Sequence, residues 1–196
     1  MRKTLAVVVV LSLIFVAAAV WPFTALYDIA TKAEAADSAA LNERLNLPAL
    51  RRSLTNQLIR TYIRISGIRV NPSGIIAGVA GSIVDPIVEK LMTPEVLTAM
   101  LRTGWPGTVL AERPAGLRGL ASVRSDSLWA LFLSSNYGLS GVSVSVPPNV
   151  AAAQQYRVTL SLSKQGWRLS GLDMPEQIQV KLVEQLLAQR VPTAAQ

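Results

Sequence analysis

The sequence predicts an α+β fold: an N-terminal transmembrane or signal helix, a helical N-terminal half packed on a small antiparallel sheet meander, and a C-terminal helix. Three observations carry this reading. Residues 5–23 contain no charged side chain, residues 24–102 read mainly as helix, and residues 120–172 read mainly as strands and turns. Helices and strands segregated along a chain point to α+β rather than to alternating βαβ units. With 196 residues, 51% apolar and 16% charged, the chain is too apolar for charge-driven disorder. It is divided here into an anchor or signal segment, 1–23, and a single exported domain, 24–196.

The first element follows from its length. A helix rises ~1.5 Å per residue and the hydrocarbon core is ~30 Å thick, so the run LAVVVVLSLIFVAAAVWPF is about long enough to span. Arg2 and Lys3 precede it, and positive charge stays on the cytoplasmic side, which sends everything downstream across. Trp21, Phe23 and Tyr27 then fall near the far interface, where aromatic side chains anchor. A cleaved signal peptide is the alternative, because Ala17, Ala18 and Ala19 offer small residues at a cleavage position. The expected location is accordingly the bacterial inner membrane, single-pass, with the domain in the periplasm, or the periplasm alone after cleavage.

The helical half continues through ALYDIATKAEAAD and LNERL, with Asp37 as an N-cap between two short helices. From Leu47, the residues Leu50, Leu54, Leu58 and Ile65 share one side at helical spacing, behind Asn46 as cap and Pro48 in the first turn. This predicts a core helix ending near Ser66. The stretch NPSGIIAGVAGSIVDPIVEKLM follows, with GxxxG spacing at Gly74 and Gly78, but its uncharged part is too short to span and reads as a close-packed soluble helix. In TPEVLTAML, Thr93 caps, Pro94 opens the helix and Glu95 complements the positive end of the dipole.

The second half is patterned as sheet. Tyr156, Val158, Leu160 and Leu162 alternate with Arg157, Thr159, Ser161 and Ser163, and a Lys164-Gln165-Gly166 turn leads into the partner strand from Trp167. Val142, Val144 and Val146 supply another strand, closed by Pro147 and Pro148. Residues 127–135, SLWALFLSS, are read as strand rather than helix. Asp173 and Glu176 resemble a capping box for a last helix with Ile178, Leu182 and Leu186 on its apolar face.

In this order, the anchor, PALRRSL, LMTPEVL and GWRLSGLDMP make residues 21–175 similar to a bacterial family known as domain of unknown function 2939. The resemblance implies a membrane-anchored or exported small domain and carries no activity with it. An aspartate is common in that family shortly before the proline of PALRRSL; Asn46 stands there in this chain.

Cysteine and histidine are both absent, which removes disulfides, thiolate and imidazole metal sites and Ser-His-Asp catalysis. No phosphate loop or dinucleotide fingerprint occurs, and no metal or cofactor is expected. Six arginines, Arg44, Arg51, Arg52, Arg60, Arg64 and Arg69, occur with no acidic residue from 44 through 84. Arg52, Arg60 and Arg64 fan across the solvent side of the core helix. They are read as an ordinary solvated face, with contact to an anionic surface as the functional candidate. Arg51 sits at the edge of the apolar stripe, which predicts a partly buried structural ion pair with Asp37 or Asp85. Trp129, Phe132, Tyr156 and Trp167 are the candidates for an apolar pocket between helices and sheet. Ser161 and Lys164 match an SxxK pattern, but on a strand entering a turn rather than at a helix start, so catalysis is not expected of them. The functional expectation is a non-enzymatic, membrane-anchored envelope domain that binds a protein, a lipid or an apolar ligand; nucleic acid is not an expected partner. The alternatives are an unrecognised hydrolase or transferase using Asp, Glu, Ser or Lys, and a peripheral anionic-lipid role for the arginine helix.

Overall fold

The computed structural model describes residues 2–67, 75–124, 128–138, 141–148 and 150–190. Gly74 and Arg69 lie outside these residues, and with them the GxxxG pair and one of the six arginines. The described elements are α1 (Arg2–Glu34), α2 (Ser38–Asn42), α3 (Leu47–Ser66), α4 (Ile75–Leu91), α5 (Pro94–Thr103), α6 (Leu128–Leu133), β1 (Asn136–Gly138), β2 (Gly141–Val146), β3 (Tyr156–Ser163), β4 (Gly166–Asp173) and α7 (Glu176–Arg190). The fold is α+β, with a four-stranded antiparallel meander in the order β1-β2-β3-β4.

The first correction concerns α1. The apolar segment and the helix after it are one continuous helix of 33 residues, with Pro22 inside it. Its beginning has exposed apolar side chains, whereas Phe23, Leu26, Ile29, Ala30 and Ala33 are buried in the core. Asp37 then caps α2, its carboxylate accepting from the Ala40 amide at 3.0 Å.

In α3 the cap, the proline position and the terminal Ser66 all stand where the spacing predicts, and Asn46 accepts from the Ala49 amide at 3.3 Å. Leu50, Leu54 and Leu58 are fully buried, a contribution of ~1.5–3 kcal/mol for each such side chain. Ile65 instead is 37% exposed, and the buried positions near that end are Gln57 and Thr61. They are polar because they meet backbone. Gln57 donates to Leu172 O at 2.8 Å and accepts from the Met174 amide at 2.8 Å, so one side chain satisfies the chain as it leaves β4. Thr61 donates to Gln179 Oε1 at 2.7 Å, which ties α3 to α7.

The sheet keeps the predicted alternation through Tyr156, Val158 and Leu160, all buried and paired with Val146, Val144 and Val142. A register irregularity between Thr159 and Leu160 follows, and Leu162, opposite Trp167, lies exposed rather than in the core. The open edge of β4 is covered by the turn before α3: the Asn46 amide donates to Leu169 O at 2.8 Å and the Leu169 amide to Arg44 O at 2.9 Å. Such cover removes an edge that would otherwise pair with other chains.

Three further expectations change. Residues Leu128–Leu133 are helical, not a strand, because a run apolar at every position carries no period-two signal. Thr93 occupies the cap position of α5 but makes no capping bond; its hydroxyl donates back to Lys90 O at 3.0 Å. Asp173 pairs in β4 with Arg157 of β3 instead of capping α7. Buried apolar residues from Phe23 to Leu186 form one contiguous core.

The Tyr156 hydroxyl reaches through this core to donate to Gly104 O at 2.5 Å. Burial pushes its ionisation well above the ordinary value of 10, with the nearby Arg113 charge acting in the opposite direction. The folded protein holds this proton to higher pH than the unfolded chain does, so the associated stability is complete below pH 10 and is lost as pH rises from there. Tyr156→Phe is expected to cost about 1–3 kcal/mol at neutral pH, because the Gly104 carbonyl loses its donor. The difference between variant and wild type should shrink in urea denaturation above pH 10. Gln57→Ala, which strands two backbone groups, should cost about 2–4 kcal/mol in the same measurement.

Candidate functional site

The arginine face is partly neutralised in three dimensions. Acidic residues missing from 44–84 arrive from other helices: Arg44 Nε lies 2.8 Å from Asp28 Oδ2 without hydrogen-bond alignment, and Arg64 pairs with Glu176. Arg51 Nη2 stands 3.8 Å from Asp85 Oδ1, and both side chains are about half exposed, so the partly buried guanidinium expected there is not found. Asp37 is engaged at its cap instead. Arg52 curls back onto Pro48 O at 3.2 Å, and Arg60 is exposed without an ion pair among the described residues. What remains is a sparse set of surface cations, each pair contributing at most ~1 kcal/mol.

The four aromatic candidates do not form one pocket. Tyr156 is consumed by the core and its bond to Gly104. Trp167 lies on β4 opposite Leu162, at the β3–β4 hairpin end. A polar concavity of about 650 Å³ lies at this end, between the start of α3 and the β3–β4 turn, with Asn46, Lys164 and Arg168 in its wall. Ser161 remains on β3 and Lys164 in the exposed turn, so the SxxK residues do not sit at a helix start. Among the described residues no group of three or more acidic side chains is placed to hold a metal ion.

Trp129 and Phe132 do come together, on α6, and their partner is α1. The two rings stack at 5.5 Å with an interplanar angle of 15°, and Phe132 meets Phe23 edge-on at 5.5 Å. Tyr137, on β1, approaches both Phe23 and Phe132, and its hydroxyl donates to the Ala19 carbonyl at 2.8 Å. Desolvation raises the Tyr137 ionisation, with a hydrogen bond from Ser135 acting against it. Between α1 and α6 lies a groove of about 380 Å³ whose walls include Phe15, Val16, Val20 and Phe23 on one side and Leu128 and Trp129 on the other. Thr24 carries its one lining hydroxyl, and that hydroxyl is spent on Trp21 O at 2.7 Å. The groove therefore offers shape and apolar surface, with no group suited to acid–base or nucleophilic chemistry.

Residues 10–100 match the model of a family described as a protein of unknown function, DUF2939. The match covers 91 of the 196 residues, and over this segment the chain is similar to that family. The matched segment begins inside the exposed part of α1, before residue 21, where the sequence resemblance starts, and stops within α5. PALRRSL and LMTPEVL fall inside the matched segment; GWRLSGLDMP and the whole sheet fall beyond it. The α1 wall of the groove thus lies within the matched segment, and its α6 wall lies beyond it. No curated protein and no solved structure matches the chain.

Sequence reasoning found Trp129 and Phe132 but missed the opposite wall. In the sequence Phe15, Val16, Ala19 and Val20 are explained by an apolar span or a signal peptide, and neither reading calls for a tertiary partner. Phe23→Ala should cost about 3–5 kcal/mol in thermal unfolding of the detergent-solubilised protein, since it empties a buried site shared by α1 and α6. Trp129→Ala, at a side chain 69% exposed, should cost about 0.5 kcal/mol or less.

Proposed function

We propose that the chain is a membrane-anchored binding domain, held by α1 on the periplasmic face of a bacterial inner membrane. The observation that carries this is the continuity of α1. It is the one described helix long and apolar enough to cross a membrane, and its second part is a core element of the domain. An anchor joined in this way is a rigid extension of the fold, not a tether. Arg2 and Lys3 favour the orientation that exports the domain.

Binding rather than catalysis is supported by the chemistry at the α1–α6 groove, where apolar surface converges and reactive groups do not. An apolar or lipidic ligand suits it better than a charged one. The scattered, mostly paired arginines give less support to an anionic-surface role. Retention of the anchor has a structural argument as well. A product beginning at Val20 loses Phe15, Val16 and Ala19, so one wall of the groove is stripped and Trp129 and Phe132 are laid open to water.

A reporter active only outside the cytoplasm, fused at the C-terminus, should be active, and N-terminal sequencing of the mature protein should show no product starting at Val20. The protein should stay with membranes through an alkaline carbonate wash. A reporter active only in the cytosol overturns the proposed setting, and release in the wash or a Val20 terminus overturns the retained anchor.

A further inference from the structure

The exposed side chains of α6 are large and apolar where a soluble surface helix would carry polar ones. Trp129 is 69% and Leu133 68% exposed, in a helix of six residues that buries Leu131. Their position relative to α1 gives this meaning. If residues 4–23 fill a hydrocarbon layer ~30 Å thick, at ~1.5 Å per residue, Phe15 lies ~12 Å deeper than Phe23. Trp129 and Leu128 share a groove with Phe15 and Val16, so α6 flanks the part of α1 that runs through the outer half of the bilayer. The Phe23–Phe132 contact fixes α6 there, and Tyr137 of β1, packed on Phe132 and bonded to Ala19, braces the same join.

We infer that α6 is a second membrane contact: Trp129 and Leu133 insert into the outer leaflet beside the anchor, and a lipid acyl chain of that leaflet fills the α1–α6 groove. This rests on the anchor reading proposed above. The commitment to lipid comes from continuity, because the groove opens from the same exposed apolar surface of α1 that the bilayer covers. It comes also from the lining, whose single hydroxyl is already satisfied and whose surface is otherwise apolar apart from the Trp129 indole N–H, which offers a polar headgroup or a peptide backbone little to bond. The Tyr137 hydroxyl is likewise satisfied by the Ala19 carbonyl, as a polar group beside hydrocarbon has to be. An interfacial helix that keeps tryptophan at the boundary is an ordinary means of holding a domain against a bilayer.

The absence of cysteine makes the test direct. Full-length protein with Val9→Cys, Leu133→Cys or Arg60→Cys, each carrying a nitroxide, is placed in phosphatidylcholine–phosphatidylglycerol vesicles, and relaxation by oxygen is compared with relaxation by a water-soluble nickel chelate. The expected result is that Val9 and Leu133 sites favour oxygen and the Arg60 site reverses the ratio. Trp129→Cys repeats the Leu133 measurement at a second exposed position. In unlabelled protein, lipids brominated along the acyl chain should quench tryptophan emission, and part of that quenching should be lost in Trp129→Phe. If the Val9 site favours oxygen while the Leu133 and Trp129 sites favour nickel, the α6 inference is overturned and the anchor stands. If the Val9 site also favours nickel, the anchor reading falls and takes this inference with it. Quenching identical in wild type and Trp129→Phe overturns the filled groove.

Discussion

Everything in this fold is built on one helix that changes character along its length, exposed at its beginning and buried in the core further on. From Leu5 through Val20 the exposed side chains of α1 are apolar on every side apart from Ser12, a pattern that water tolerates poorly and hydrocarbon tolerates well. From Phe23 onward the helix becomes one-sided: Phe23, Leu26, Ile29, Ala30 and Ala33 face the core, while Asp28 and Lys32 pair with one another at the surface. The change occurs around Pro22. Proline inside a helix removes a backbone donor and normally weakens it. Here hydroxyls come to the surrounding carbonyls, from Thr24 to Trp21 and from Tyr137 to Ala19, at the very turn where the helix changes environment.

The rest of the domain is arranged so that α1 can be gripped on both sides. Leu120–Ser122 and α5 pack along it from the middle of the chain, and α2 folds back on it after the Asp37 cap. Arg44, held beside Asp28, then brings the chain to the edge of β4, where residues 44–46 pair with Leu169 before α3 starts. Gln57 closes the far end by bonding both Leu172 and Met174. A buried amide in a core helix would be costly if unpaired, but here it replaces the sheet partner that the end of β4 lacks.

Much of this was legible where local physics decides. The cap and proline of α3 sit within a single helical turn of one another, and the Val142–Val146 and Tyr156–Leu160 alternations are enforced by burial on one side of each strand. The reading failed where the deciding partner is distant in sequence. Nothing near Gln57 or Thr61 announces that 172–174 and Gln179 need them, so Ile65 was placed in the core by spacing alone. The arginine run looked unbalanced because Asp28, Asp85 and Glu176 reach it from α1, α4 and α7. In α6, uniform apolarity hid both the helix and the fact that two of its large side chains have no protein to cover them. The candidate site was half visible for the same reason: its α6 rings were noticed as aromatic, and its α1 wall was absorbed into a length argument.

If α1 is the anchor proposed above, that wall also explains why the domain places large exposed apolar side chains, Trp129 and Leu133, next to it. A single helix through a bilayer fixes depth but leaves the domain free to turn about the helix axis and to lean. On the proposed α6 contact, a second apolar element close to the same boundary would remove much of that freedom, because any large lean would pull Trp129 and Leu133 out of the apolar layer into water, at ~25 cal/mol for each Å² of apolar surface exposed. Locking α6 to α1 through Phe23, Phe132 and Tyr137 makes the two contacts one rigid unit. The consequence reaches the far end of the molecule. In the proposed membrane setting, with α1 rigid into the core, the surface carrying Arg52, Arg60 and the polar concavity near Lys164 would be presented in a defined direction from the bilayer, not swept through all orientations on a flexible stalk.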